Sequence, residues 1–231
     1  PGFMINTYQE CDDTRVDANI TDGITTFDFS DATPLIVGLF PPGQIITVTY
    51  YETTADALAE INAIPDISNH INTAYPFNQT ITYRIDSDVD NSCLGIGDFE
   101  LETINPMPNL NPAPIILCDD ITVGDLVETF DLTQREVFIF NGETNVTASY
   151  HLDYDEAVAG SNAIPTPTTS YNNTNPSETI YVRVTNTDSC FAIVELDILV
   201  NPLPDDSALV TDYFECENNT DFFFDFDLET K

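Results

Sequence analysis

"SETIYVRVTNTDSCFAIVELDILVNPLP", residues 177–204, reads as strand, tight turn, cysteine, strand and a proline stop. Residues 78–108, "NQTITYRIDSDVDNSCLGIGDFELETINPMP", say the same thing about 100 residues earlier, down to the Asn-Pro-x-Pro exit. In the later passage Ile180, Val182 and Val184 alternate with Tyr181, Arg183 and Thr185, giving one apolar face and one mixed face. That is the period-two signature of a half-buried strand. A period of this length is that of a domain, not of a solenoid.

The rest of each copy keeps the same order. A cysteine with acids opens it ("ECDD" at Cys11, "LCDD" at Cys118, "ECEN" at Cys216), and a Phe-Asp strand follows at Phe27, Phe130 and Phe226. Next come a strand ending at Tyr51 or Tyr150 and a short acidic, alanine-bearing stretch that ends in "NAIP" at Asn62–Pro65 and Asn162–Pro165. Alanine and acids allow one helical turn there before Asn and Pro stop it. Helical periodicity is nowhere sustained for three turns. The expectation is all-β: tandem antiparallel β-sandwich modules of immunoglobulin or fibronectin-III type, with six or seven strands each. The boundaries fall at 1–108, 109–204 and 205–231, the last being the start of a third copy. The linkers "NPMPNLNPAP" and "NPLPDD" fix several φ angles and favour semi-rigid spacing.

The 231-residue chain carries 40 acidic and five basic residues, a net charge of −35. Such a surface repels nucleic acid and anionic lipid, and no apolar run is long enough to span a membrane. With an apolar fraction of 42% the chain still has the material for a core. The opening "PGFMINTYQECDD" and the closing "FFFDFDLETK" read as parts of a longer chain.

Five cysteines fit the repeat as an early and a late one per copy. This predicts one disulfide within each copy, Cys11 with Cys93 and Cys118 with Cys190, and a partner for Cys216 further along. Such bonds imply an oxidising compartment; buried free thiols are the alternative. No Cys-x-x-Cys pair points to zinc.

No catalytic constellation is present. His70 and His151 have no counterparts in the opposite copy, and no nucleophile elbow, zinc helix or phosphate loop occurs. Calcium is the one candidate cofactor. Asp86, Asp88 and Asp90 match the first half of an EF-hand loop, but Gly97 stands where its glutamate is required. An Asx-rich turn is the competing reading. Asp119 with Asp120, and Asp205 with Asp206, are the candidates for calcium at domain junctions. Arg84 and Arg183 recur at matching places, which suggests a structural ion pair or stacking on a nearby Tyr. The most divergent loop, residues 70–79, offers Tyr75 and Phe77 as binding residues.

Taken together, "C-acidic-acidic", "FDL", "DEAVAGSNAIP", "YNNTNPSETIYVRV", "CFA" and "NPLP" resemble the tandem modules of large secreted surface proteins of Bacteroidota, flavobacteria especially. The resemblance covers nearly all of Cys118–Pro204 and the first copy more loosely. It implies an extracellular, cell-surface location, export by the type IX secretion system and, for some members, roles in gliding or attachment. The expected function is therefore a non-enzymatic stalk or filament segment of an adhesin that presents a distal binding region. Its partners would be neighbouring repeats and the surface or secretion machinery. The alternatives are a module that itself binds a glycan or protein, and an accessory region of a secreted hydrolase.

Overall fold

The computed structural model describes residues 5–89 and 92–203. Asp90, Asp205, Asp206, Cys216 and the start of the third copy lie outside the described residues.

Residues 5–108 contain six strands, β1 (Tyr8–Glu10), β2 (Thr26–Phe27), β3 (Ile46–Tyr51), β4 (His70–Ile71), β5 (Asn78–Ser87) and β6 (Cys93–Thr103), with helices α1 (Ala32–Val37) and α2 (Thr54–Ala59). The second copy repeats them as β7 (Ile115–Cys118), β8 (Thr129–Phe130), β9 (Thr147–His151), β10 (Tyr171–Asn172), β11 (Ser177–Thr185) and β12 (Phe191–Asn201), with α3 (Glu136–Ile139) and α4 (Tyr154–Ala159). Each module is a four-stranded sheet, β1-β6-β5-β3 or β7-β12-β11-β9, facing a two-stranded ribbon, β2-β4 or β8-β10. The layers are those of a sandwich with one small sheet. Within each large sheet the first strand runs parallel to the last, and the other pairings are antiparallel.

The alternation read from the sequence holds. Ile180, Val182 and Val184 are buried with Val194, Leu196, Ile198, Phe130, Leu132 and Ile139 in the core of the second module. Phe27, Phe29, Ile36, Tyr50, Ile81, Phe99 and Leu101 build the first. α1 and α3 were not foreseen; they are short turns whose buried Ile36 and Ile139 fill the space left by the narrow ribbon.

The mixed face is explained by α2 and α4. Thr53 and Asp153 cap these turns by accepting the N–H of Asp56 and Glu156. Each turn ends in a left-handed residue, Glu60 or Gly160. The "NAIP" signature then has a physical role. Asn62 and Asn162, also left-handed, donate their side-chain amides back to Asp56 (2.9 Å) and Glu156 (2.7 Å). Ile64 and Ile164 donate their backbone N–H to the carbonyls of Tyr50 (2.8 Å) and Tyr150 (2.7 Å). The recurrent arginines close the turn from the sheet side: Arg84 reaches the Ala57 carbonyl, and Arg183 those of Ala157 and Val158. Cations belong at helix C-termini, where carbonyls lack partners.

A repeated asparagine ties the two strands of each ribbon together at one end. Asn72 accepts the Thr25 N–H and donates to the Gly23 carbonyl; Asn173 accepts the Glu128 N–H and donates to the Leu126 carbonyl. Phe130 sits two residues beyond this tie and is fully buried. Phe130→Ala is expected to cost about 3–5 kcal/mol in denaturant unfolding of the second module, and a loss below about 1 kcal/mol would contradict its place in the core.

Candidate functional site: the joint between the modules

The two cysteines of one module lie at opposite ends of one strand. Glu10 pairs with Thr103 at the end of β6, so Cys11 follows beside the module's exit, while Cys93 is the first residue of β6. The same holds for Cys118, paired with Asn201, and Cys190, which precedes β12. Eleven residues of extended strand span roughly 35 Å, and a disulfide needs Cα atoms within about 7 Å. The pairings expected within each copy are therefore corrected: Cys11 bonds Cys190, with Cα atoms 5.2 Å apart, across the modules. Cys93 and Cys118 are exposed free thiols.

Around this bond the exit end of the first module meets the β11–β12 turn of the second. Asn105, the asparagine of the first "NPMP", accepts the Asp12 N–H at 2.7 Å. Its amide donates to the Asp12 carbonyl (2.7 Å) and, across the joint, to the Phe191 carbonyl (2.8 Å). Asn186 does the converse. Its side-chain oxygen accepts the N–H groups of Asp188 and Cys190, shaping the turn that carries the disulfide. Its amide donates to the Ile104 carbonyl of the first module at 2.6 Å.

The apolar part of the joint comes from a longer loop in the first copy. Fifteen residues lie between Cys11 and Phe27, against eleven between Cys118 and Phe130. The extra length places Ile20 against Ala157 and Ile193, with Val158, Tyr181 and Phe191 packed around them. Arg183 braces this patch from beneath, its guanidinium stacked 3.4 Å from the Phe191 ring centre. The stacking partner is thus a phenylalanine, not a tyrosine. Arg84 pairs with Asp86 and Glu60. The linker is fastened as well: Asn109 donates to the Ile139 carbonyl, Met107 to the Glu143 carboxylate and Arg135 to the Pro114 carbonyl.

Three of the carboxylates proposed for calcium, those of Asp119, Asp86 and Asp88, take part in hydrogen bonds. Asp119 is buried and accepts the N–H groups of Gly124 and Leu126. The Asp120 N–H is bound by Glu128. Asp86 is held by Arg84, and Asp88 accepts the Thr47 hydroxyl. Among the described residues no three His, Cys, Asp or Glu come together as a metal set. The histidines are structural partners: His70 bonds Gln79, and His151, fully buried, bonds Ser149 and the Ser161 carbonyl.

Phe77 borders a cleft of about 230 Å³ beside the joint, lined also by Ile20, Pro106, Met107 and Leu110. Its ring covers Gly23, where a Cβ would come within 2.5 Å of it. Gly23 has a φ of +77°, so both space and conformation require glycine there. Tyr75 is exposed but is not part of this lining.

This geometry agrees with a family match. Residues 7–108 and 114–204 each match the Flavobacterium inter-domain disulphide bond domain. The chain belongs to that family. Its two inter-domain disulphide bond domains stand in tandem, and the described bond joins one to the other. No curated protein matches the chain.

Asp12 carries a buried oxygen without a partner among the described residues at the joint between the two domains. Its Oδ2 accepts the Gly23 N–H; the unpartnered atom is Oδ1. Burial raises its pKa to about 6; the Gly23 amide opposes this, and Asp22 and Asp17 add to it. A carboxyl whose folded pKa is raised stabilises the protonated fold. Its contribution is full below the unfolded value near 4 and is lost as pH rises through about 6. Asp12→Asn is therefore expected to melt above the parent at pH 7, with the gap closing as pH falls to 4. A gap that is constant across that range would contradict the assignment.

Proposed function

We propose that this chain is a load-bearing, non-enzymatic segment of a long cell-surface or secreted protein, exported by the type IX pathway, that holds an adhesive region away from the cell. The observation that carries this reading is the span of the Cys11–Cys190 bond, 179 residues of sequence. Tension arriving at residue 11 passes through two sulfur atoms to residue 190. Nearly all of both modules is bypassed. A domain pair held only by a linker would yield at its weaker module; here the covalent path carries the force while the folds keep their shape.

Three further features support the reading. A disulfide of this kind belongs to an oxidising, extracytosolic compartment. No helix among the described residues is long and apolar enough to cross a membrane. The net charge of −35 opposes collapse of a long chain onto itself. The two apparent pattern elements of the linker, Asn and Pro, set joint geometry and not a flexible tether: Asn105 bridges the modules and the prolines limit φ.

Single-molecule pulling from the two ends tests this. The oxidised chain is expected to extend only outside residues 11–190, and adding a reductant should release roughly 60 nm of further contour, at about 3.5 Å per residue. The same extension with and without reductant would contradict a load-bearing bond.

A further inference from the structure

The longer Cys11–Phe27 loop does two things at the joint. It presents Ile20 to the second module, and together with Phe77 and the linker it lines the cleft of about 230 Å³. The cleft is mostly apolar, and Phe77, Met107 and Leu110 are exposed in its lining. Four polar side chains also border it, those of Asp12, Thr21, Thr103 and Asn105. Three of these are already engaged. Thr21 donates its hydroxyl to Asn19, and Thr103 donates to the Phe77 carbonyl. The Asn105 amide is shared among the carbonyls of Asp12, Ile20 and Phe191.

Asp12 is the exception. It is 1% exposed, its Oδ1 has no hydrogen-bond partner among the described residues, and none of the ion pairs described there includes it. In the second module both oxygens of the counterpart, Asp119, receive backbone amides. A buried carboxylate short of a donor is costly, and each such group calls for an explanation. A partly apolar cleft at a domain interface, with an under-paired polar group in its lining, is where ligands bind.

We propose that this cleft is a binding site for a primary ammonium on a short apolar chain, the charge set against Asp12 and the chain against Ile20, Phe77, Met107 and Leu110. The polar lining decides the sign of the ligand. No Lys, Arg or His borders the cleft, and the Asn105 amide is occupied, so an anion finds neither a counter-charge there nor a side-chain amide to receive it. A neutral apolar molecule leaves the carboxylate as it was. An ammonium brings both a positive charge and N–H groups, to a place where little water screens the attraction. The net charge of −35 draws cations toward the surface from further out. Volume sets the size: the cleft is smaller than the roughly 300–1,000 Å³ of a drug-sized site, and suits one short chain. A free alkylamine and a lysine side chain share this chemistry, lysine being an ammonium on an apolar stem. Ile20 and Asn105 both line the cleft and touch the second module, so an occupant there also braces the joint. None of this depends on the role of the chain under tension.

The test is an NMR titration of the intact, oxidised chain with carbon-13 in its methionine methyls, the Met107 methyl being the reporter. It is run at pH 8, where Asp12, with its pKa raised to about 6, is ionised. n-Pentylammonium is expected to shift the Met107 signal and to bind at least about tenfold more tightly than 1-pentanol, the margin of a charge-assisted hydrogen bond. Pentanoate should leave the signal in place. Asp12→Asn, which keeps the shape of the side chain, should bring the ammonium down to the level of pentanol. Leu110→Trp, at an exposed linker position, should fill the cleft and remove the response to both. Nα-acetyl-lysine methylamide separates the two sources: a matching shift assigns the site to lysine side chains as well, and its absence confines the site to free amines. Pentanol or pentanoate binding as tightly as the ammonium would overturn the proposal. So would ammonium binding that is unchanged in either variant, or a Met107 methyl that does not respond to the ammonium.

Discussion

The parallel pairing of a module's first strand with the end of its last strand governs everything else in this molecule. It puts the early cysteine beside the exit and leaves the late cysteine a full strand away, too distant to bond within the module. Once that geometry is set, a disulfide is available only between modules. The fold and the assembly are then one problem. The strand order that makes a sandwich-like core also determines which end of one domain presents sulfur to which end of the next.

The joint shows how little specific chemistry such an assembly needs. A reciprocal pair of asparagines bridges it: Asn105 reaches from the first module to the Phe191 carbonyl, and Asn186 reaches back to the Ile104 carbonyl. Ile20 supplies the apolar contact, from a loop longer than its counterpart in the second copy. Buried amide donors with good partners are costly to disturb, because a lost bond leaves an unsatisfied carbonyl behind. Asp12 shows the opposite case, a carboxylate oxygen left without a donor where the lengthened loop departs from the tighter Asp119 arrangement.

Much of the fold was legible in the sequence because it depends on local pattern. The alternation of Ile180, Val182 and Val184 marked the core face, and the Phe-Asp strands marked the ribbon that holds Phe27 and Phe130. The alanine-bearing stretch before "NAIP" announced its helical turn, with the cap and the left-handed exit to match. The short α1 and α3 turns escaped, since they carry no repeated periodicity. The site was legible in its members but not in its connections. Cys11 and Cys190 stood out as pattern positions, yet their pairing depends on strand direction, which spacing does not encode. Asn105 was visible only as the head of a proline linker, and Ile20 was not singled out at all. Asp119 was read as a metal candidate; what the fold adds is that it accepts the amides of Gly124 and Leu126, as Asp12 accepts that of Gly23.

The central claim is that the covalent bond runs between modules and not within them. Digesting the 231-residue chain without reduction and weighing the cysteine peptides tests it most directly. The account predicts a peptide carrying Cys11 joined to one carrying Cys190, with both separating on reduction. A Cys11 peptide joined to Cys93, or a Cys190 peptide joined to Cys118, would contradict it.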